Sequence, residues 1–120
     1  MGRARILVAD DNLAILEMFS ALLRNAGFEV VAVTNGTAAA AALEAGGIDA
    51  SVMDVRMPGG GPASLISIRE RYPDVKLLVC SGLMTEVEAG RFQRLGVDAV
   101  LEKTSAPEAL VDTIRKLLAN

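Results

Sequence analysis

Five times along this 120-residue chain a short apolar run gives way to a segment with helical spacing, and that alternation constrains the fold more than any other feature. Arg5 to Ala9 is a compact apolar run of the kind shown by a strand buried on both faces. Asp10, Asp11 and Asn12 end it and offer a helix N-cap. From Leu13 onward, Leu16, Phe19, Leu22, Leu23 and Ala26 recur at intervals of three and four, giving one helical face that Gly27 stops. Phe28 to Val33 reads as a second strand, and Gly36 opens an alanine-rich helix, Thr37 to Ala45. Ile48 to Met53 reads as a third strand ending at Asp54, and Pro62 suits the first turn of a helix running to about Tyr72. Val75 to Cys80 is a fourth strand, stopped by Ser81 and Gly82. Thr85 and Glu88 have capping-box spacing for a helix to Leu95, in which Gly90 costs about 1 kcal/mol relative to Ala. Val97 to Leu101 makes a fifth strand. Ser105 and Glu108 form a second capping box before a helix whose Leu110, Ile114, Leu117 and Leu118 share a face.

Such alternation predicts one α/β domain over residues 1–120, a doubly wound parallel sheet with helices on both faces joined by right-handed crossovers. The remaining composition narrows the chemistry. With no His there is no Ser-His-Asp triad, no His-ligated zinc or haem, and no phosphohistidine made on this chain. A single Cys allows no internal disulfide, which suits a reducing cytoplasm. The net charge of −3 and 3% aromatic content argue against direct nucleic-acid binding, which draws on basic residues for phosphates and rings for bases. No apolar stretch approaches the roughly 18 residues of a membrane span, so no membrane association is expected and the expected location is the cytoplasm.

In open parallel sheets, ligands bind beyond the carboxyl ends of the strands. There this sequence places Asp10 and Asp11 after the first strand, Asp54 after the third, Ser81 after the fourth and Lys103 after the fifth. Three carboxylates in one place repel one another unless something positive sits among them. Lys103 supplies one charge. An oxygen-only donor set selects a hard cation such as Mg²⁺, Mn²⁺ or Ca²⁺. Asp54 is then a carboxylate nucleophile able to accept a phosphoryl group, with Lys103, the metal and Ser81 meeting its oxygens.

The blocks Arg5-Ile-Leu-Val-Ala-Asp-Asp-Asn12, Met53-Asp-Val-Arg-Met-Pro-Gly59, Val79-Cys-Ser-Gly82 and Leu101-Glu-Lys103, in this order and spacing, resemble the receiver domain of bacterial two-component response regulators. The resemblance covers nearly the whole chain. It implies a flavodoxin-like fold with sheet order 2-1-3-4-5 and five helices. It implies phosphoryl transfer from a sensor histidine kinase to Asp54 with Mg²⁺ (Mn²⁺ able to substitute) held by Asp11, Asp54 and the backbone carbonyl of Arg56, and by Asp10 through water. Such a domain is a switch that catalyses its own phosphorylation and dephosphorylation rather than a turnover enzyme. Each residue alone has a plainer explanation: Asp10 and Asp11 as helix caps, Asp54 as a turn acid, Lys103 as a solvated charge, Ser81 as part of a turn. Taken together, they would require five coincidences at one edge.

Departures from the family pattern carry their own expectations. Val100 stands where the family usually has Phe or Tyr, so an aromatic swing is ruled out and the signal is expected to pass through the Ser81 loop and the fourth helix, or by a weaker repacking. Lys103 is followed by Thr104 instead of Pro. The run from Lys103 to Leu110 is similar to receivers joined to LuxR-type helix-turn-helix domains, which implies a DNA-binding output domain beyond this chain. Arg56 and Leu83 match the pair that tunes dephosphorylation, with Leu83 expected to shield the phosphoryl group and Arg56 to screen its charge. Gly59 to Gly61 is expected to be mobile, Cys80 to be inert core packing, and dimerisation to follow phosphorylation as in the family. The alternatives are a stand-alone phosphorelay shuttle, an interaction module that is never phosphorylated, and a Mg²⁺-dependent phosphatase or flavin carrier of the same fold.

Overall fold

The computed structural model describes residues 2–82, 84–103 and 107–119. In chain order these form β1 (Arg5–Ala9), α1 (Leu13–Asn25), β2 (Glu29–Val33), α2 (Gly36–Ala45), β3 (Ala50–Met53), α3 (Pro62–Arg71), β4 (Lys76–Ser81), α4 (Glu86–Arg94), β5 (Ala99–Glu102) and α5 (Pro107–Ala119). The strands make one parallel sheet in the order β2-β1-β3-β4-β5. The expected architecture and strand order are both present.

The two-residue side-chain period of the strands builds the two layers. Ile6, Val8, Val52, Leu78 and Cys80 face one side, where they bury Leu16, Phe19 and Leu23 of α1 and Leu110 and Ile114 of α5. Leu7, Ala9, Met53, Leu77 and Val79 face the other, against Ala39 and Leu43 of α2 and Leu65 and Ile68 of α3, with Phe92 and Leu95 of the α4 region packed at the margin. Each fully buried Leu or Ile contributes about 1.5–3 kcal/mol of transfer free energy, so the central strands are the most firmly held part of the molecule. On α1 the buried stripe is Leu16, Phe19, Ser20 and Leu23; the expected Leu22 and Ala26 are only half-buried.

Helix ends follow local chemistry. Asn12 caps α1 by accepting from the Ile15 N–H, and Asn35 caps α2 by accepting from the Ala38 N–H. The Thr85/Glu88 capping box of α4 is complete in both directions. Pro62 occupies the first turn of α3. The second expected box falls on Ser105, which lies outside the described residues, as does Thr104.

Strand ends depart from expectation by one or two residues for reasons of pairing. β3 begins at Ala50, the partner of Ile6 in β1 and Lys76 in β4, so Ile48 is buried ahead of the strand. Ser81 is the last residue of β4, held by pairing with Glu102, and not the residue after it. β5 starts at Ala99, since the Val97 N–H still bonds to the Phe92 carbonyl at the end of α4.

Candidate functional site at the carboxyl edge of the sheet

Register brings the acidic residues together. Ala9 and Met53 are partners in adjacent parallel strands, so the next residues, Asp10 and Asp54, leave the sheet side by side. The ladder continues through them: the Asp10 N–H bonds to the Val33 carbonyl and the Asp54 N–H to the Ala9 carbonyl. On the far side, the Lys103 N–H donates to the Ser81 carbonyl at 2.6 Å, which fixes where the lysine leaves β5.

The Lys103 ammonium lies 2.7 Å from Oδ2 of Asp10 and 3.2 Å from Oδ2 of Asp54. Both carboxylates are buried, at 2% and 3% exposure. Burial pulls the Lys103 pKa down, but hydrogen bonding and charge from Asp10 and then Asp54 outweigh it, so the ammonium stays above its ordinary value. The other carboxylate oxygens are held by the main chain: Oδ1 of Asp10 accepts from the Asn12 N–H at 2.9 Å, and Oδ1 of Asp54 from the Arg56 N–H at 3.1 Å. The cap of α1 falls to Asn12, which leaves Asp10 and Asp11 to the site and removes the plainer explanation for them.

Asp11 is exposed, and one oxygen from each of Asp10, Asp11 and Asp54 lies within 4.8 Å of the others. Three carboxylates against the bridging ammonium leave negative charge uncompensated. An oxygen-only cluster of this size matches what a hard divalent ion takes. The Ser81 hydroxyl is 1% exposed and, like those of Ser20 and Ser51, has no hydrogen-bond partner among the described residues. A buried orphan hydroxyl costs free energy, about 1–3 kcal/mol, unless another group completes it. Both features fit a site that Mg²⁺ and an anionic group would complete.

The modulating positions are placed as follows. Arg56 is exposed, two residues past Asp54, with its guanidinium directed toward Gly82, and its charge is one of the lesser causes that hold the Glu88 carboxyl below its ordinary range, behind the Thr85 hydrogen bonds. Val100 is half-buried on the edge strand, lining a small cleft with Met84, Thr85, Ala89 and Gln93 of the α4 region. Leu83 lies outside the described residues. Cys80 is buried beneath the site; burial, countered in part by Lys103, pushes its thiol from an ordinary 9.0 to about 12, as befits an inert core residue.

The Gly59–Gly61 run makes two close backbone contacts. Gly59 lies against Gly36 of α2, and Gly60 folds back onto the Asp54 carbonyl, so two of the three glycines are tightly packed. Sequence reading had no signal for this, since the contact joins positions far apart in the chain.

A family model described as the response regulator receiver domain matches residues 6–115. The chain is 26% identical over 113 residues to the sensory transduction protein RegX3 of Mycobacterium tuberculosis, covering 94% of this chain and 50% of that protein. It is 27% identical over 116 residues to the DNA-binding response regulator MtrA of Mycobacterium leprae, covering 97% and 52%. The chain therefore spans about half the length of these curated relatives. Among solved structures, a CheY-like receiver domain protein from Methanospirillum hungatei superposes with a TM-score of 0.91 at 24% identity, over 98% of this chain and 95% of that one. The signal receiver domain of the response regulator NarL from Mycobacterium tuberculosis gives 0.89 at 22%, over 100% and 99%.

Proposed function

The chain belongs to the response regulator receiver domain family, and from that membership we propose that Asp54 accepts a phosphoryl group from the phosphohistidine of a sensor kinase and so switches an output. The observation that supports it best is the Lys103 bridge between Asp10 and Asp54 beside the unpartnered Ser81 hydroxyl. The Arg56 N–H and the Lys103 ammonium hold the Asp54 carboxylate in a fixed orientation before any donor arrives.

In the transfer step, a carboxylate oxygen of Asp54 attacks phosphorus, a new O–P bond forms, and the P–N bond to the donor imidazole breaks. The leaving nitrogen keeps the bonding pair and takes up a proton. Lys103 is placed to meet the negative charge that spreads over the phosphoryl oxygens, and Ser81 to donate its free O–H to one of them. Asp10, Asp11, Asp54 and the Arg56 carbonyl would hold Mg²⁺, which supplies the remaining positive charge. Leu83 and Arg56 would govern how fast water removes the phosphoryl group. With Val100 on β5, the signal travels through the Ser81 loop toward α4.

MtrA's printed name as a DNA-binding regulator, and the half-length match, support an output of transcriptional type carried by a separate domain. The partners are then a sensor histidine kinase and that output domain, and phosphorylation drives dimerisation. No described helix is long and apolar enough to cross a membrane. Incubation with acetyl phosphate and Mg²⁺, read by intact mass, should add one phosphoryl group to the native chain and none to Asp54→Ala. An unmodified native chain under saturating donor and Mg²⁺ would sink the reading and favour a constitutive interaction module.

A further inference from the structure

The loop that follows Asp54 is closed almost entirely on itself. The Arg56 N–H returns to the Asp54 carboxylate, the Gly60 N–H to the Met57 carbonyl, and the Met57 side chain is buried in the core. Its main-chain tie to another element is at Gly36, the first residue of α2, whose N–H donates to the Pro58 carbonyl at 2.7 Å. At that point two backbones touch. A Cβ on Gly36 would run into the Gly59 carbonyl oxygen and sit 2.8 Å from the Gly59 Cα.

The loop has no slack on its other side. A Cβ on Gly60 would sit 2.6 Å from the Asp54 carbonyl oxygen and 2.9 Å from Cγ of Met57. Two close approaches therefore flank the loop: Gly36 against Gly59, and Gly60 against the Asp54 carbonyl, and neither Gly36 nor Gly60 has room for a methyl group there. Gly59 has φ +77°, a left-handed conformation that suits glycine.

We propose that Gly36 is a positioning residue for the cation site: its bare backbone sets how far the 55–60 loop stands from α2, and thereby where the Arg56 carbonyl sits beside the carboxylates. The proposal rests on the phosphoacceptor reading for its metal. Mg²⁺ demands near-ideal octahedral geometry at about 2.0–2.1 Å, so a loop pushed outward by a methyl group loses a ligand that a more permissive ion would keep. Residues that orient metal ligands from behind typically change affinity by about 10–100-fold when altered.

The test titrates Mg²⁺ against the full chain without phosphodonor, following amide resonances and the rise in melting temperature. Gly36→Ala should raise the half-saturating Mg²⁺ concentration about tenfold or more. The rate of labelling by acetyl phosphate at saturating Mg²⁺ should stay close to native, a split that loss of stability alone does not produce. Gly47→Ala, which strains a positive-φ glycine after the far end of α2, should lower the melting temperature while leaving Mg²⁺ affinity intact. Should Gly36→Ala not fold, the native chain still decides: the Gly36 and Gly59 amides should titrate with the same midpoint as Asp54 and Arg56. Equal Mg²⁺ affinity in Gly36→Ala, or silent Gly36 and Gly59 amides while Asp54 responds, overturns the proposal alone. A native chain that binds no Mg²⁺ at all overturns the phosphoacceptor reading together with it.

Discussion

The two ends of the parallel sheet each carry a charged network, and they are finished to different degrees. At the amino ends of β4 and β5, Arg69 of α3 bonds the Val75 carbonyl at 2.7 Å and the Pro73 carbonyl, and pairs with Asp98 at 3.3 Å. The same Asp98 carboxylate accepts the Leu77 N–H at 2.8 Å. One cation meets one anion, and among the described residues Nε of Arg69 is left without a partner. At the carboxyl ends, three carboxylates cluster, two of them bridged by one ammonium, and the buried Ser81 hydroxyl has no partner among the described residues. A closed network stabilises by tying α3, its following loop and the α4–β5 connection together. An unfinished one holds free energy in reserve for whatever completes it. That difference in charge balance is what sets the proposed phosphoacceptor end apart from the other.

Exchanging damage between the two ends tests this contrast. Lys103→Met removes the ammonium that meets developing charge, and labelling by acetyl phosphate at saturating Mg²⁺ should slow by about 100-fold. Mg²⁺ should also raise the melting temperature of this variant more than that of the native chain, because two buried carboxylates would then rely on the ion. Asp98→Ala should do the reverse. It strands the N–H of the fully buried Leu77 and unpairs Arg69, lowering unfolding free energy by about 1–3 kcal/mol in urea melts, with the labelling rate unchanged. If Asp98→Ala slowed labelling as strongly as Lys103→Met, the two ends would not be separate in role.

The smallest effect concerns alkaline pH. Cys80 and Lys103 both have pKa values raised in the folded state, so the folded chain holds these protons more tightly than the unfolded one. Their contribution is full below the unfolded values and falls away as pH rises, beginning near pH 9 for the thiol and continuing to about 12. Cys80→Val should flatten the decline in unfolding free energy above about pH 9 while leaving its value at neutral pH within about 1.5 kcal/mol of native. An unchanged slope would place the alkaline loss elsewhere.

Most of the fold was legible because its signals are local. The apolar runs at Arg5–Ala9 and around Val79, the Asn12 and Asn35 caps, the Thr85/Glu88 box and Pro62 each act within one turn or one strand. Strand ends were less legible, since pairing decides them: Ser81 belongs to β4 because Glu102 lies opposite. Asp10, Asp11, Asp54, Ser81 and Lys103 could be read as one site only because parallel strands put their carboxyl ends at one edge. The Arg69–Asp98 tie carried no sequence signal, being two ordinary charges 29 residues apart.

By itself the amino-acid sequence determined the alternation of elements, the buried faces and the set of groups delivered to the carboxyl edge. Period, capping and turn chemistry depend on neighbours along the chain. Only the tertiary structure decided which oxygens Lys103 bridges, that the Ser81 hydroxyl is left over, and that Gly36 abuts Gly59 and Gly60 abuts Asp54. Those outcomes are distances between residues far apart in sequence, set by strand register and by how closely two backbones pack.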